Sequence, residues 1–258
     1  MGENGMSRAL SLLFAMVCYA IFFATFLYLI VFVGDLNLDP LKPATVDNGP
    51  VSTPLIAAAI DVALIALFGL QHSVMARQGF KRWWTRFVPS QIERSVYVLA
   101  ASIALIILFL GWRPITPIVW SVNPITHPIL NDVIWLIFWI GWATVLITTF
   151  LINHFELFGL QQAWLHARSR QAAKPELRQP LFYKWVAHPL YAGFFLAFWA
   201  APEMTAGHLL LAAGMSTFML IAIRYEEHDL IGLFGDDYRR YRASVGGLIP
   251  RFRSSGKG

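Results

Sequence analysis

The chain of 258 residues is 57% hydrophobic and only 14% charged, with a formal net charge of +5. A soluble domain carries about 25% charged residues, so this composition excludes an ordinary soluble enzyme and predicts a protein whose solvent is a bilayer. The single cysteine, Cys18, excludes an internal disulfide and any cysteine-based metal or redox motif. The length fits one membrane domain, 1–258, divided into an N-terminal four-helix part (1–152) and a C-terminal part (153–258).

Six hydrophobic segments follow one another along the chain, and a helix needs about 20 apolar residues to cross the hydrocarbon core. They are 9–33, 54–75, 95–112, 133–152, 189–201 and 208–223. The first segment is too long for the apolar part of a signal peptide and is predicted to be retained. The fifth is short, so five or six crossings are expected, and the last two segments are candidates for a tight helical hairpin. The fold class is predicted to be all-α, a polytopic membrane helical bundle.

The connections between these segments alternate in charge. Basic residues dominate 77–94, 153–188 and the tail after the last segment, whereas 34–54 is acidic and 113–132 is nearly uncharged. Because basic loops stay on the cytoplasmic side of a membrane, both termini are predicted to lie in the cytoplasm. Tryptophans near the segment ends, such as Trp112 and Trp185, are typical of anchoring at the membrane interface.

Ionisable groups at the edge of a membrane segment are candidates for function because they are costly to keep in lipid. Gln71, His72 and Ser73 lie near the end of the second segment, and Arg94 and Tyr97 lie near the start of the third. This group is interpreted either as a hydrogen-bonded clamp between helices or as the lining of a substrate pocket. The residues alone leave both interpretations open.

The stretch 153–162, directly after the fourth segment, mixes polar and aromatic residues and includes His154 and Gln161. Such a mixture is typical of an amphipathic helix at the interface, and a role in lining a cofactor site is the alternative. Asp61 lies deeper, within the second segment, and is expected to pair inside the bundle rather than to do chemistry.

The fifth segment opens with the hexapeptide 188–193, His-Pro-Leu-Tyr-Ala-Gly. Proline suits the first turn of a helix, and the free N–H groups at such a helix start attract carboxylate or phosphate. His188 and Tyr191, about one turn apart, are predicted to face one pocket. A helix cap with an interfacial tyrosine is the alternative interpretation.

The sixth segment is followed by an acidic pair, Glu226 and Glu227, and a Tyr-x-x-Tyr pattern comes next at Tyr238 and Tyr241. Paired carboxylates beside a bilayer are costly unless they have partners. Contact with anionic lipid explains the arginines nearby, but it explains neither the acidic pair nor the spacing of the tyrosines.

Taken in order, the His-Pro-x-Tyr-x-Gly motif, the Glu-Glu pair and the Tyr-x-x-Tyr followed by a proline resemble a known C-terminal signature. It is that of the isoprenylcysteine carboxyl methyltransferase and phospholipid methyltransferase superfamily, and the resemblance covers 184–252. In that superfamily the signature binds S-adenosylmethionine at the cytosolic face, which implies that 153–258 is the cofactor-binding part. Ala187 stands where many relatives have arginine, so Lys184 or Arg224 is expected to replace that contact.

The N-terminal half is similar to a narrower branch of this superfamily. Residues 68–77 (FGLQHSVMAR) and 93–97 (ERSVY) resemble the bacterial methanethiol S-methyltransferases (MddA) and the related NnrU-like proteins. The resemblance implies a multi-pass protein of the bacterial inner membrane that methylates a small thiol, most simply methanethiol to dimethyl sulfide. Hydrogen sulfide is a further acceptor that it implies. The expected partners are the thiol and the lipid bilayer, with no nucleic acid.

The resemblance also implies roles for the residues named above. The catalytic candidates are His72, Arg94 and His154; the substrate-binding candidates are Gln71, Ser73, Tyr97 and Gln161; the cofactor-binding candidates are His188, Pro189, Tyr191, Gly193, Glu226, Glu227, Tyr238, Tyr241, Arg242 and Arg251. A neutral His72 or His154 would take the thiol proton, with His72 ranked first and His188 second. Tyrosine faces would stabilise the sulfonium cation of S-adenosylmethionine. No metal is expected, because no pair of histidines has standard ligand spacing.

Three other interpretations stay open at this point. The first keeps the chemistry but changes the acceptor to an isoprenylcysteine carboxylate or a phospholipid amine, which requires a long apolar groove. The second is an NADPH-dependent membrane reductase, because such reductases carry a related C-terminal region. The third is an accessory protein of haem or nitrite metabolism, a description that NnrU relatives have been given.

Overall fold

The computed structural model describes residues 5–171, 176–177 and 179–251. Its main helices follow the predicted hydrophobic segments, and short helices and two short strands lie in the connections. In chain order they are α1 (Gly5–Val33), α2 (Pro54–Ala76), α3 (Gln78–Trp84), α4 (Ser90–Gly111), β1 (Ile118–Ser121), α5 (Pro128–Ile152), α6 (His154–Leu157), α7 (Leu160–Ala167), a 3₁₀ turn (Leu181–Lys184), α8 (Pro189–Trp199), β2 (Glu203–Thr205), α9 (Ala206–Phe234) and α10 (Asp236–Ser244).

Among the described residues, five helices are long and apolar enough to cross a membrane: α1, α2, α4, α5 and α9. The chain is therefore an all-α polytopic membrane bundle, and the prediction of the fold class is confirmed. The last membrane helix, α9, is longer than predicted. It continues to Phe234 instead of ending near residue 223. Charge in its last turns hid this continuation, since those turns leave the apolar part of the bundle.

Helix α8 has only 11 residues, which gives it a length of about 16 Å, against a hydrocarbon core of about 30 Å. It starts beside the end of α9, where His188 contacts Glu227, and the chain then reaches the start of α9 through an extended stretch, 200–205. This stretch is hydrogen-bonded to protein: Trp120 donates to the Ala201 carbonyl and the Val122 N–H donates to the Pro202 carbonyl. Helix and extended stretch together connect the two ends of the bundle.

The end of the bundle formed by the start of α1, α3, α6, α7 and α10 carries the basic connections. The Arg8 guanidinium donates to the Ser169 hydroxyl at 2.6 Å, so the start of α1 lies against the connection that follows α7. This gathering of the basic segments agrees with the charge alternation along the sequence. The orientation that follows from it, with both termini in the cytoplasm, stays a prediction.

The opposite end is closed by the loop 34–53 and a two-stranded antiparallel sheet of β1 and β2. The Thr205 hydroxyl donates to Asp47, and the Arg113 backbone N–H donates to Asp61 at 2.9 Å. The prediction that Asp61 pairs inside the bundle is thus confirmed. Trp112 is only 1% exposed and donates to the Val46 carbonyl. It is therefore a core residue, and the prediction that it anchors the chain at the membrane interface is wrong.

Helix α8 packs most closely on α5 rather than on α9, so the predicted hairpin of the last two segments is not its main contact. The crossing is tight because Gly141 and Gly193 face each other. A Cβ on Gly193 would lie 2.8 Å from the Gly141 carbonyl oxygen and 2.9 Å from the backbone nitrogen of Val145. Small residues that let two backbones approach closely are the usual basis of helix packing in membranes.

We expect Gly193→Ala to destabilise the protein by about 1–3 kcal/mol, because the added methyl meets backbone that no side-chain rotation can move. Gly232→Ala is the matched control, since a Cβ there meets nothing within 4 Å. Both changes raise helix propensity by the same amount. Thermal unfolding of the purified protein in detergent should show a lower midpoint for Gly193→Ala alone, and equal midpoints would contradict the tight crossing.

The loop at the acidic end should make stability depend on pH. Burial, followed by the nearby charges of Asp35 and Glu203, raises the pKa of Asp47 to about 6, although its bond from Thr205 acts in the opposite direction. A carboxyl with a raised folded-state pKa takes up a proton on folding between its unfolded value and about 6, so its contribution falls as pH rises through that window. We therefore expect Asp47→Asn to raise the unfolding midpoint more at pH 7.5 than at pH 5.

The measurement is the difference in midpoint between wild type and Asp47→Asn at the two pH values, with the exposed Asp132→Asn as control. Asn keeps an oxygen that can accept from Thr205, so only the charge is removed. A difference that does not change between pH 5 and pH 7.5 would contradict the assignment.

Candidate active site

A cavity of about 230 Å³ lies inside the bundle between α1, α2, α4, α5, α8 and α9. Most of its wall is aromatic or aliphatic. The lining residues are Phe22, Phe23, Thr25, Phe26, Leu29, Phe68, His72, Arg94, Tyr97, Val98, Ala101, Ser102, Leu105, Val145, Leu146, Thr149, His154, Leu157, Phe158, Leu190, Tyr191, Phe194, Phe198, Met215, Phe218 and Met219. All three predicted catalytic residues are in this list, although they come from three separate parts of the sequence.

His72 and Tyr97 form a hydrogen-bonded pair in the cavity wall. The Tyr97 hydroxyl lies 2.8 Å from the Nε2 atom of His72 and 3.4 Å from the backbone carbonyl oxygen of the same residue. The rings of Phe68 and Phe218 pack against the imidazole. The Nδ1 atom of His72 is buried and has no hydrogen-bond partner among the described residues.

The two contacts of Tyr97 indicate which nitrogen of His72 carries the proton. A tyrosine hydroxyl has one proton to donate, and it satisfies both contacts when it donates to the His72 carbonyl and accepts from Nε2–H. In this tautomer the lone pair of His72 lies on Nδ1, the nitrogen without a partner. A buried, unpartnered acceptor is costly. Accepting a proton from a ligand would explain why Nδ1 has no partner within the protein.

Arg94 is held above this pair by the segment that follows α5. Its Nε–H donates to the Leu157 carbonyl at 2.8 Å, and its guanidinium carbon lies 4.9 Å from the centre of the Tyr97 ring. The chain reverses at Gly159, whose φ of +88° favours glycine. A Cβ on Gly159 would lie 2.6 Å from the Ser95 hydroxyl oxygen, so this close approach also requires glycine.

His154 lines another part of the cavity, but both of its ring nitrogens are engaged. The Thr149 hydroxyl donates its proton to the Leu146 carbonyl and lies 2.8 Å from Nδ1 of His154, so Nδ1–H must donate to it. Nε2 then accepts from the Tyr19 hydroxyl at 2.8 Å. Burial lowers the pKa of His154, and the imidazole is therefore a neutral, fully bonded part of the wall.

The three C-terminal motifs meet at the basic end of the bundle. His188 and Arg242 both donate to the Oε1 atom of Glu227, which joins the start of α8, the end of α9 and α10 at one carboxylate. His188 is buried, with 3% of its surface exposed. The Tyr191 hydroxyl, one turn into α8, lies near the Glu226 carboxylate.

Backbone pairing fixes this corner from below. The N–H groups of Ala187 and His188 donate to the carbonyls of Gly246 and Gly247 at 2.8 and 3.1 Å. These bonds place the chain after α10 alongside the residues that lead into α8. Ala187 is buried in a small apolar cluster, so no side chain extends from it toward a ligand.

Tyr238 and Tyr241 belong to that same cluster, which also contains Val245. Tyr241 donates to the Tyr183 carbonyl at 2.8 Å, and burial raises its pKa to about 12. Burial and then the charges of Glu227 and Glu226 raise the pKa of Tyr238, so its hydroxyl lies near both carboxylates. Within the described residues that hydroxyl is buried without a hydrogen-bond partner.

This corner fits the group that the resemblance implies. S-adenosylmethionine carries a sulfonium cation, an ammonium and ribose hydroxyls, which suit carboxylates and tyrosine faces. The unpartnered hydroxyl of Tyr238 offers a donor or acceptor to such a ligand. Tyr191 lines the apolar cavity and also lies near Glu226, so it joins the cavity to the acidic corner.

Several predicted site residues lie outside the cavity wall. Gln71 donates to the sulfur of Met75, and the Gln161 carbonyl accepts from Asn153. Ser73 is also absent from the lining, which leaves Tyr97 as the one predicted substrate-binding residue in it. The structure therefore gives no support for substrate contacts by the other three.

The remaining cofactor candidates have structural partners. Gly193 is buried at the crossing with α5, and packing accounts for it. Pro189 is the first residue of α8 and is buried. Arg251 donates to the Ala243 carbonyl at 3.2 Å. Arg224 is exposed, and so is Lys184.

The aromatic wall of the cavity was missed in the sequence. Phe22, Phe26 and Leu29 lie on one face of α1 at helical spacing, and Phe158 stacks on Phe22 with ring centres 3.9 Å apart. Helix α1 is apolar on all sides, so the spacing of its phenylalanines gave no signal that distinguished cavity from lipid. The order of the helices around the cavity decides it, and only the fold contains that order.

Comparison with known proteins gives a consistent result. A methanethiol S-methyltransferase of Mycobacterium tuberculosis is 47% identical over 95% of this chain and 98% of its own length. Methanethiol S-methyltransferase 1 of Bradyrhizobium diazoefficiens is 48% identical over 96% of this chain and 84% of its own length. Nurim of Danio rerio is more distant, at 30% identity over 75% of this chain and 74% of its own length.

No family model and no solved structure matches the chain. The two bacterial relatives nevertheless align with 95% and 96% of this chain, which is nearly its whole length. On the strength of these alignments, the chain belongs to the methanethiol S-methyltransferase family.

Proposed function

We propose that this protein methylates methanethiol to dimethyl sulfide, with S-adenosylmethionine as the methyl donor. The observation that carries the proposal is the juxtaposition of an apolar cavity, containing the unpartnered Nδ1 atom of His72, with the acidic and tyrosine-rich corner at Glu226. The names of the two bacterial relatives that align with nearly the whole chain support methanethiol as the methyl acceptor. The donor is inferred from the resemblance of the C-terminal motifs and from the chemistry of the corner.

The donor would bind at the corner formed by α8, α9 and α10. When bound, it supplies an electrophilic methyl group on a sulfonium. Glu226 and the Tyr238 hydroxyl would hold its polar groups, and Tyr191 would face the cation from the cavity side. Glu227 would position these residues without contacting the donor. Its Oε1 atom accepts hydrogen bonds from His188 and Arg242 and so holds the three helices together.

His72 would remove the proton from the thiol. A thiol is a poor nucleophile compared with its thiolate, and the pKa of a free alkyl thiol is about 8.5 or above. The lone pair on Nδ1 would accept that proton while Nε2–H stays bonded to Tyr97. The Arg94 guanidinium, half-buried beside Tyr97, would stabilise the thiolate that forms.

The apolar wall would orient the substrate and exclude water. Transfer between two sulfur atoms requires the nucleophile about 3–3.5 Å from the methyl carbon and in line with the leaving group. The phenylalanines around His72 leave the polar end of the cavity as the place for the thiol group. We further propose that this end faces the cytoplasm of a bacterial cell, in a single membrane domain that includes both parts of the chain.

We expect His72→Gln to lower the rate of dimethyl sulfide formation at pH 7 by about 10²–10⁴, the usual contribution of a general base. Its residual rate should then rise about tenfold per pH unit toward the thiol pKa, because solution supplies the thiolate. Headspace gas chromatography of purified protein with methanethiol measures both. The control is His127→Gln, an exposed histidine at the other end of the bundle.

S-adenosylhomocysteine binding, measured by calorimetry, should be unchanged in His72→Gln. A variant that keeps the wild-type rate at pH 7, or whose rate does not respond to pH, would remove His72 from this role. A variant that loses S-adenosylhomocysteine binding would show that His72 belongs to the cofactor site instead.

We expect Glu226→Gln and Tyr238→Phe each to weaken binding of S-adenosylhomocysteine by about tenfold, because each removes a group proposed to hydrogen-bond to the polar groups of the cofactor. Glu203→Gln, an exposed carboxylate at the opposite end, is the control. Calorimetric titration of the three variants separates the outcomes. Wild-type affinity in both Glu226→Gln and Tyr238→Phe would place the cofactor elsewhere.

A further inference from the structure

The cavity is much larger than methanethiol, which has only two heavy atoms. An apolar protein cavity of about 150 Å³ holds benzene, a molecule of six carbons, and the cavity here measures about 230 Å³. Protein interiors are packed with few voids larger than a water molecule. A single methanethiol would leave most of this space without contacts, so the size of the cavity needs another reason.

The cavity is also elongated, with its polar groups at one end. Its lining on α4 extends from Arg94 to Leu105, which is a rise of about 16 Å along the helix. Arg94 and Tyr97 lie at the same end as His72. Beyond them the wall continues through Ala101 to Leu105, one to two turns deeper than Tyr97.

The deeper part of the cavity offers a ligand no free polar group. Its hydroxyls donate to backbone carbonyls of their own helices: Ser102 to Val98 at 2.9 Å, and Thr25 to Ile21 at 2.7 Å. Within the described residues, the unpartnered buried polar atom that belongs to the cavity lining is Nδ1 of His72. The cavity therefore matches a molecule with one reactive polar end and an unbranched apolar tail.

We propose that the protein also methylates linear alkanethiols of about four to six carbons, with the sulfur at His72 and the chain along α4 toward Leu105. This inference rests on the proposed function, because it uses the same base and the same methyl donor. The cavity is about one and a half times the volume of one that holds benzene. A tail of fifteen carbons, as in a prenylated cysteine, is too large for it. Thiols with charged tails are excluded because the deep wall has no group to pair with them.

The reaction balances as it does for methanethiol. The thiol proton goes to Nδ1 of His72, and the sulfur forms a bond to the donated methyl carbon. The bond from that carbon to the sulfonium breaks, its electron pair stays with the donor, and the donor becomes neutral. The product is an alkyl methyl sulfide, and His72 returns its proton to solvent.

The experiment compares methanethiol, butanethiol and hexanethiol with 2-mercaptoethanol and cysteine, using purified protein and S-adenosylmethionine. Each buried methylene stabilises the bound thiol by about 0.8 kcal/mol, so we expect KM to fall about threefold to fourfold per carbon up to butanethiol. The kcat/KM values of 2-mercaptoethanol and cysteine should be at least a hundredfold lower than that of butanethiol. Gas chromatography measures the volatile methyl sulfides, and the S-adenosylhomocysteine formed measures turnover of all five thiols.

Dimethyl sulfide without butyl methyl sulfide would overturn the inference and leave the proposed function in place. Absence of both products would contradict the proposed function. Calorimetric titration of butanethiol into cofactor-free protein then tests the cavity independently of turnover, and a lack of binding would overturn the inference as well.

Two variants test the position of the tail. Ala101→Leu fills the cavity about one turn beyond Tyr97, so it should lower kcat/KM for hexanethiol at least tenfold more than it lowers kcat/KM for methanethiol. Ala100→Leu is the matched control, because residue 100 does not line the cavity. Leu105→Ala should extend the preference to longer chains, and equal chain-length profiles in both lining variants and wild type would overturn the proposed position.

Discussion

The short helix α8 is the feature on which the rest of the site depends. In lipid every backbone N–H and carbonyl needs a partner, and irregular backbone is tolerated only where protein surrounds it. With 11 residues, α8 leaves the crossing incomplete, and the extended stretch 200–205, which is hydrogen-bonded to β1 and its neighbours, completes it. The start of α8 is covered by the long end of α9 and by α10, which meet it at Glu227.

That cover separates two environments that the proposed reaction needs side by side. On one side lie the carboxylates and tyrosine hydroxyls of the corner, and on the other lies the aromatic cavity. Tyr191 belongs to both, since it lines the cavity and lies near Glu226. The tight crossing of Gly193 on α5 sets the position of α8, so the packing of two glycines determines where this tyrosine lies.

The sequence allowed the fold class and the six segments to be predicted, because hydropathy and charge alternation depend on local residue types. The meeting of the three C-terminal motifs was implied by the family resemblance that their order carries. It also brought out His72, Arg94 and His154, since ionisable groups are conspicuous in apolar segments. It did not distinguish Gln71 and Ser73, which lie beside the cavity, from Tyr97, which lines it. That distinction depends on how α2 and α4 are rotated against each other, and neighbouring polar residues on one apolar helix do not encode the rotation.

The predicted roles of the two histidines separate on hydrogen bonding alone. His154 has a partner for each nitrogen, and its neutral form is held by Thr149 and Tyr19. His72 has one partner and one free nitrogen in an apolar wall. An isolated charge is costly in such a wall, so a proton on His72 is tolerable only while a thiolate lies next to it. In the proposed reaction, methyl transfer would consume that thiolate and the sulfonium together, and the neutral, apolar sulfide that remains would be free to leave through lipid. The same wall that disfavours a lasting charge on His72 thus favours a reaction in which opposite charges cancel.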